Sequence, residues 1–183
     1  MKKILMVAAA AAALSAVPAS AQTLTYGLNA QVATVCGVYK FDGPTVTVDF
    51  GALAATPTAT AVPAGAGSAT YRCNAVNGFT RTVTSANQGF LTLNGAPTTD
   101  NTRRIRFDMS HGGGSGLGFA FQQLTAPVTN TFGGSAAFLA GQTGSINFQT
   151  FGVQAAPGGN EAPGTTVFAG TYQDTVTITV TAN

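Results

Sequence analysis

The sequence is poor in the side chains that usually carry chemistry. Its 183 residues include one histidine, no tryptophan and two cysteines, and only 8% of them are charged. So few histidines and cysteines leave no cluster that could hold zinc, and the scattered acids form no D-x-D-x-D-G calcium loop. The dense basic face that a nucleic-acid partner needs is also missing. We therefore expect no metal, no cofactor and no nucleic acid.

Catalytic groups are equally scarce. His111 is the only histidine and precedes the glycine-rich run 112–116. The chain has no G-x-S-x-G elbow, and the glycine run lacks the Lys-Ser/Thr that ends a phosphate-binding loop. Glu161 is the only glutamate, and spacing identifies no glycosidase-type carboxylate pair. We expect His111 to be an exposed loop residue and the protein not to be an enzyme.

The N-terminus has the three parts of a secretory signal peptide. Lys2 and Lys3 precede an apolar, alanine-rich run, and small residues follow at Ala19 and Ala21. We predict a signal peptide over residues 1–21, so that the mature chain begins at Gln22. Removing the two lysines leaves six basic and six acidic residues, a net charge of about zero.

The two cysteines, Cys36 and Cys73, follow this export signal. A lone pair in an exported protein most simply forms a disulfide. We predict that bond, with a pair of free buried thiols as the alternative.

What the sequence does contain is alternation of apolar and polar residues, the period of a half-buried strand. No segment has a convincing helical period. Strands are predicted at 45–50, 68–73, 79–84, 103–109, 117–122, 145–152 and 170–181, with loops over 52–67, 125–143 and 155–165. Short strands separated by turn residues predict one all-β sandwich domain.

Two smaller predictions concern charged residues in or beside these strands. Arg104 and Arg106 alternate with apolar residues, and we expect Arg103 and both of these to lie on a solvated strand face. Asp174 lies beside a turn, and we expect its carboxylate to hold local backbone in place.

The start of the mature chain is another alternating ribbon. Its apolar row is Leu24, Tyr26, Leu28, Ala30 and Val32, and mostly polar residues lie between them. Such a strand near a chain end either opens its own sheet or adds to the sheet edge of a neighbour, where ladder hydrogen bonds give affinity and alternate side chains give specificity. The residues alone leave both possibilities open.

Several blocks resemble the spore coat protein U family, which includes the Csu-type pilins of archaic chaperone–usher pili. The block 28–36 followed by Val48-Asp49-Phe50-Gly51 resembles the start of these subunits, and 69–74 resembles their second-cysteine strand. The Phe151-Gly152 pair and the closing block 169–180 resemble their late segments. The first and last blocks are the more specific, and residues 85–145 carry little of the likeness.

The resemblance implies an immunoglobulin-like, pilin-type β-sandwich that lacks its final strand. A periplasmic chaperone would fill the gap first, and the N-terminal strand of the next subunit would replace it at an outer-membrane usher. The resulting domains are a signal peptide (1–21), a donor-strand extension (22–35) and a sandwich (36–183). The donor residues would be Leu24, Tyr26, Leu28, Ala30 and Val32, and the disulfide would join Cys36 to Cys73.

The expected product is a homopolymer at the cell surface, a pilus, fimbria or coat with a role in adhesion or biofilm. The alternative is a self-complete secreted β-sandwich that binds a ligand such as a glycan. In that case the opening ribbon is simply the first strand of the domain.

Overall fold

The computed structural model of the protein describes residues 24–156 and 162–183. The chain divides into two units, Met1–Val32 and Ala33–Asn183. The predicted signal peptide, residues 1–21, lies outside the described residues, as does the middle of the predicted loop 155–165.

Regular structure in the described part of Ala33–Asn183 is almost entirely β. The elements are β1 (Cys36–Tyr39), β2 (Ala61–Cys73), β3 (Phe79–Ser85), β4 (Phe90–Leu93), β5 (Arg104–His111), β6 (Phe119–Gln122), β7 (Val128–Phe132), α1 (Ala136–Ala140), β8 (Gln142–Phe151), β9 (Tyr172–Gln173) and β10 (Val176–Ala182).

These strands form two antiparallel sheets in a sandwich-like arrangement. The larger has the order β1-β2-β8-β5-β4-β9, with β6 also pairing with β5. The smaller has the order β10-β3-β7. The prediction of an all-β sandwich is confirmed.

The core lies between the inward rows of the two sheets. Tyr71 of β2, Phe79 and Val83 of β3, and Phe107 and Met109 of β5 are all at most 2% exposed. The Phe79 ring stacks on Phe132 and meets Phe138 of α1 edge-on, with ring centroids 4.9 Å apart in both pairs. Aromatic contacts of this kind hold β3, β7 and the helix together.

The outward face of the smaller sheet consists of threonines. Successive residues of a strand point to opposite faces, and threonine suits a pleated, half-buried surface. In register, Thr82 pairs with Thr179 on one side and Thr129 on the other, and Thr80 pairs likewise with Thr181 and Thr131. The predicted strand 79–84 is confirmed as β3 in this sheet. The predicted strand 170–181 is split: its later part is β10 of this sheet, whereas its first part contains β9, which pairs with β4 in the larger sheet.

Two predicted loops are wrong in part. β2 begins at Ala61, inside the predicted loop 52–67, and contains Pro63. A proline is tolerated there because β1 pairs only with the end of β2, from Thr70 to Cys73, so that Pro63 has a partner on one side only. The predicted loop 125–143 contains β7 and α1, whose Phe132 and Phe138 are buried in the core.

The predicted strand 45–50 is also wrong. Residues 44–50 carry no regular secondary structure. The alternation nevertheless orients the side chains, since Val48 and Phe50 are half-buried against the core while their neighbours are exposed. We call residues 44–50 the strap.

The described part of the N-terminal unit, residues 24–32, contains no strand either. The apolar row is exposed throughout, with Leu24 74%, Tyr26 77%, Leu28 92% and Val32 86% accessible, and Ala30 exposed as well. The strand predicted for this segment is not formed in the single chain. We call residues 24–32 the donor segment.

Candidate binding cleft

An open apolar cleft lies between the two sheets of the sandwich. Its volume is about 460 Å³, within the range typical of binding sites. The floor comes from inward-facing residues of the larger sheet, and the sides come from β1, the strap and β10. The lining residues are Val38, Tyr39, Lys40, Gly43, Pro44, Val46, Val48, Phe50, Ala66, Ala69, Leu91, Phe107, Met109, Ile146, Phe148, Asp174, Val176 and Ile178.

One side of the cleft is an unpaired strand edge. β10 pairs with β3 along one edge, from Val176 to Ala182, and is the terminal strand of its sheet. Its inward residues Val176, Ile178 and Val180 are only half-buried, although they pack against the core. An edge strand with a half-covered apolar row is a template for a further strand.

The edge of the larger sheet faces β10 across the opening. β1 is the terminal strand of that sheet, and its Cα atoms approach those of β10 within 8 Å, but no ladder joins the two strands. The two sheets therefore meet here without hydrogen bonds between their backbones.

The strap forms another side of the cleft and is held by side chains. Among the described residues, no backbone group of residues 44–50 bonds to another backbone group. Gly43 and Gly51 flank the strap with φ of 105° and 71°, values that favour glycine. The carboxylate of Asp49 accepts a hydrogen bond from the backbone N–H of Gly51 at 2.8 Å.

The charges at the cleft are already engaged. The Lys40 ammonium lies 2.9 Å from the Asp42 carboxylate. The Asp174 carboxylate accepts hydrogen bonds from the Ser85 hydroxyl at 2.5 Å and the Asn87 backbone N–H at 2.9 Å. Asp174 thus holds backbone in place as expected, but it is the backbone of Asn87, a sequence separation of 87, and not that of its own turn. Because these groups have partners, the cleft selects an uncharged, apolar occupant.

The chain that follows the donor segment is fixed to the sandwich by Asn74, whose backbone N–H donates to the Val35 carbonyl at 3.1 Å, and by the neighbouring disulfide. The Asn74 amide donates to the Ala33 carbonyl at 2.8 Å and accepts from the Val35 backbone N–H at 2.7 Å. The disulfide between Cys36 and Cys73 follows at once, so that prediction is confirmed. Residues 33–36 are thereby attached to the end of β2.

His111 is not the exposed loop residue that we expected. It is the last residue of β5 and only 2% exposed. Its Nδ1 lies 2.6 Å from the Gly112 carbonyl, which can only accept, so Nδ1 carries the proton. Nε2 then accepts a hydrogen bond from the Tyr71 hydroxyl at 2.8 Å. Both ring nitrogens serve internal contacts.

A buried arginine lies beside this pair. The fully buried Arg81 donates from Nη1 to the Leu117 carbonyl and from Nη2 to the Asn130 side-chain oxygen, each at 2.8 Å. Its guanidinium lies 5.3–5.8 Å from the ring centroids of Tyr71, Phe119 and Phe132, a distance at which a cation is attracted to aromatic rings. Alternation on β3 predicts that Arg81 faces inward, but it does not predict these partners.

The three arginines of the predicted strand 103–109 differ in exposure. Arg103 and Arg106 are exposed as expected. Arg104 is half-buried, with its guanidinium 4.2 Å from the Phe90 ring centroid. Arg106 pairs with the buried Asp108 at 2.9 Å. The solvated-face prediction therefore fails for Arg104.

The alternating apolar row of residues 24–32 was predicted as a binding strand, and that role stays a prediction. The cleft was not predicted, since its residues Leu91, Phe107, Met109, Ile146 and Phe148 were not grouped as a site. The available signal was the presence of several alternating apolar rows, which must face one another in a sandwich.

Within residues 24–156 and 162–183, no group of three or more potential metal ligands comes together. None of the helices there has the length and apolar character needed to cross a membrane. No protein-family model, curated protein or solved structure matches the chain.

Proposed function

We propose that the protein is a secreted structural subunit that polymerises by strand exchange. The donor segment of one copy inserts into the cleft of another and completes its sandwich. The observation that supports this most directly is the unpaired edge of β10 beside an apolar cleft of about 460 Å³.

The donor segment has the chemistry that this cleft selects. Its nine residues contain no charged side chain, and every second one is apolar. In an extended conformation Leu24, Tyr26, Leu28, Ala30 and Val32 point to one side, as alternate strand residues do. The backbone would bond to β10 while this row covers the apolar floor.

The resemblance to Csu-type pilins supplies the remaining parts of the proposal. A periplasmic chaperone covers the cleft after export, and an outer-membrane usher exchanges it for the next subunit. The polymer is then a pilus or coat at the cell surface. No residue is assigned a catalytic role.

A matched pair of donor variants tests this function. The full chain, with its own signal peptide, is co-expressed with a cognate chaperone and usher in an exporting host, and fibres are examined by electron microscopy. Leu28→Asp places a charge in the apolar row and should abolish fibres, whereas Asn29→Asp places the same charge on the opposite row and should leave them intact. Fibres from Leu28→Asp, or equal loss in both variants, would contradict donor-strand insertion.

The same preparation separates polymerisation from the ligand-binding alternative. A wild-type protein that stays monomeric at high concentration without a chaperone, and that binds a glycan array, would favour a self-complete sandwich. Fibres that require the chaperone would support the proposal.

A further inference from the structure

The strap and the donor segment have the same pattern and face the same surface. Val46, Val48 and Phe50 alternate with Thr45, Thr47 and Asp49, and the apolar three line the cleft. Val48 and Phe50 pack against the residues that the donor row would cover. Two segments of one chain, residues 44–50 and residues 24–32, are therefore candidates for a single apolar surface.

In the free chain, β1 and β10 lie too close together for a further strand to fit between them and pair with both. Adjacent strands in a sheet lie about 4.8 Å apart, so a strand placed between β1 and β10 needs these two to be separated by about 9.6 Å. Their Cα atoms approach within 8 Å. A donor strand therefore does not fit between β1 and β10, and to reach the edge of β10 it must enter the cleft where residues of the strap line it together with Val176 and Ile178.

The strap is the part best suited to move. Its backbone has no backbone hydrogen bonds among the described residues, so leaving the cleft breaks no ladder. Gly43 and Gly51 stand in open space, with no atom within 4 Å of where a Cβ would be. A segment with few backbone bonds and glycines at both ends opens at low free-energy cost.

We propose that the strap is an internal placeholder, which covers the cleft in the free subunit and is displaced when a donor strand enters. This inference rests on the proposed function, because it names what regulates the same cleft. By packing Val48 and Phe50 against the core, the strap limits exposed apolar surface before assembly. It also lowers the apparent affinity for a donor, which equals the intrinsic affinity multiplied by the fraction of molecules whose cleft is open.

The test uses the mature full-length chain carrying Leu28→Asp, which disables its own donor, and a fluorescent synthetic peptide of residues 22–34. Peptide uptake is followed by fluorescence anisotropy. In this background Phe50→Ala weakens the hold of the strap, and Thr47→Ala changes its outward face. We expect Phe50→Ala to raise peptide affinity by about tenfold and Thr47→Ala to change it by less than about twofold.

The three possible patterns are distinguishable. If all variants bind the peptide, but Phe50→Ala binds it no more tightly than Thr47→Ala, the placeholder role is overturned and the proposed function stands. No uptake by any variant counts against the proposed function and the placeholder together. Tighter uptake by Phe50→Ala alone supports both.

Amide hydrogen exchange provides a second readout that does not depend on how Phe50→Ala folds. A displaced strap has no new backbone partner, so the amides of Thr45 and Thr47 should exchange as fast with bound peptide as without it. Strong protection of these amides on peptide binding would mean that the strap pairs with the donor as a strand, and would overturn the placeholder role.

Discussion

The Tyr71 hydroxyl lies 2.8 Å from Nε2 of His111, and both side chains are at most 2% exposed. This contact joins the end of β2 to the end of β5 across β8, which lies between them in the larger sheet. It requires an unprotonated Nε2, because Nδ1 already donates to the Gly112 carbonyl. Burial raises the pKa of Tyr71, against the opposing effect of Arg81, so the phenol remains the donor.

The first prediction is that stability falls in mild acid because of His111. Burial lowers the pKa of His111 below 6.5, the hydrogen bond to Gly112 raises it, and the charge of Arg81 lowers it further. Because the unfolded chain binds the proton more readily, the stabilisation is complete above about pH 6.5 and is lost as pH falls through the lowered pKa, with a slope of at most about 1.4 kcal/mol per pH unit.

Urea denaturation between pH 7.5 and 5.5 measures this slope. His111→Gln cannot take up a proton in this range, so its unfolding free energy should depend less on pH than that of the wild type, whatever its absolute stability. Parallel pH profiles for the two proteins would contradict the assignment.

The second prediction concerns the buried guanidinium. No carboxylate among the described residues forms an ion pair with Arg81, and its charge is met by two oxygens and three aromatic rings. Lysine keeps the charge but cannot reproduce the planar donor geometry. Arg81→Lys should therefore lower the free energy of unfolding by about 2 kcal/mol.

The matched control for Arg81 is Arg103→Lys, because the Arg103 side chain is 53% exposed. A surface change of this kind should stay within about 0.5 kcal/mol. Equal losses in the two variants, measured by urea denaturation, would show that the buried contacts of Arg81 contribute nothing specific.

The third prediction is that the disulfide supplies a large part of the stability. It closes a loop with a sequence separation of 37. Loss of this constraint on the unfolded chain is worth about 4 kcal/mol by the loop-entropy relation. The Cys36→Ser, Cys73→Ser double variant should unfold at a correspondingly lower urea concentration, and wild-type protein treated with a thiol reductant should match it. A loss below about 1 kcal/mol in both samples would contradict the prediction.

The fourth prediction concerns Asp174 at the rim of the cleft. Its carboxylate holds the Ser85 hydroxyl, which in turn accepts from the Gly89 backbone N–H at 2.7 Å. Asp174→Ala leaves the Ser85 hydroxyl and the Asn87 backbone N–H without their acceptor and should lower the free energy of unfolding by about 2 kcal/mol. Asp49→Ala, which removes only the exposed contact to Gly51, should cost less than about 0.5 kcal/mol. Thermal unfolding of the two variants gives the comparison.

Alternation predicted strands well where the chain also supplies a partner edge. The rows of β3 and β10 are regular and pair with each other over seven residues, from Val176–Ser85 to Ala182–Phe79. Residues 24–32 and 45–50 alternate just as clearly but form no ladder. The alternation of apolar and polar residues predicts which face of a segment is apolar. A strand also needs a neighbouring strand with a free edge beside it.

The site was less predictable than the fold, since its parts are far apart along the chain. Val48, Phe107 and Ile178 meet at the cleft only because three distant segments converge there. His111 shows the same limit, because a glycine run after it suggested an exposed loop while its ring is in the core beside Tyr71. The burial of a single side chain depends on neighbours that are distant in the sequence, and local sequence patterns do not predict them.

The attachment of residues 33–36 to β2 has a mechanical consequence for a polymer. Tension along a fibre would enter each sandwich from its donor segment, and so first reach Ala33 and Val35, which Asn74 holds by hydrogen bonds. The next link is the covalent bond from Cys36 to Cys73. In such a polymer, load would therefore pass directly to β2, which pairs with β8 along much of its length, and the four-residue β1 would be spared. Under pulling force a reduced subunit should yield at β1, and an oxidised one at the long β2–β8 ladder or at the donor itself.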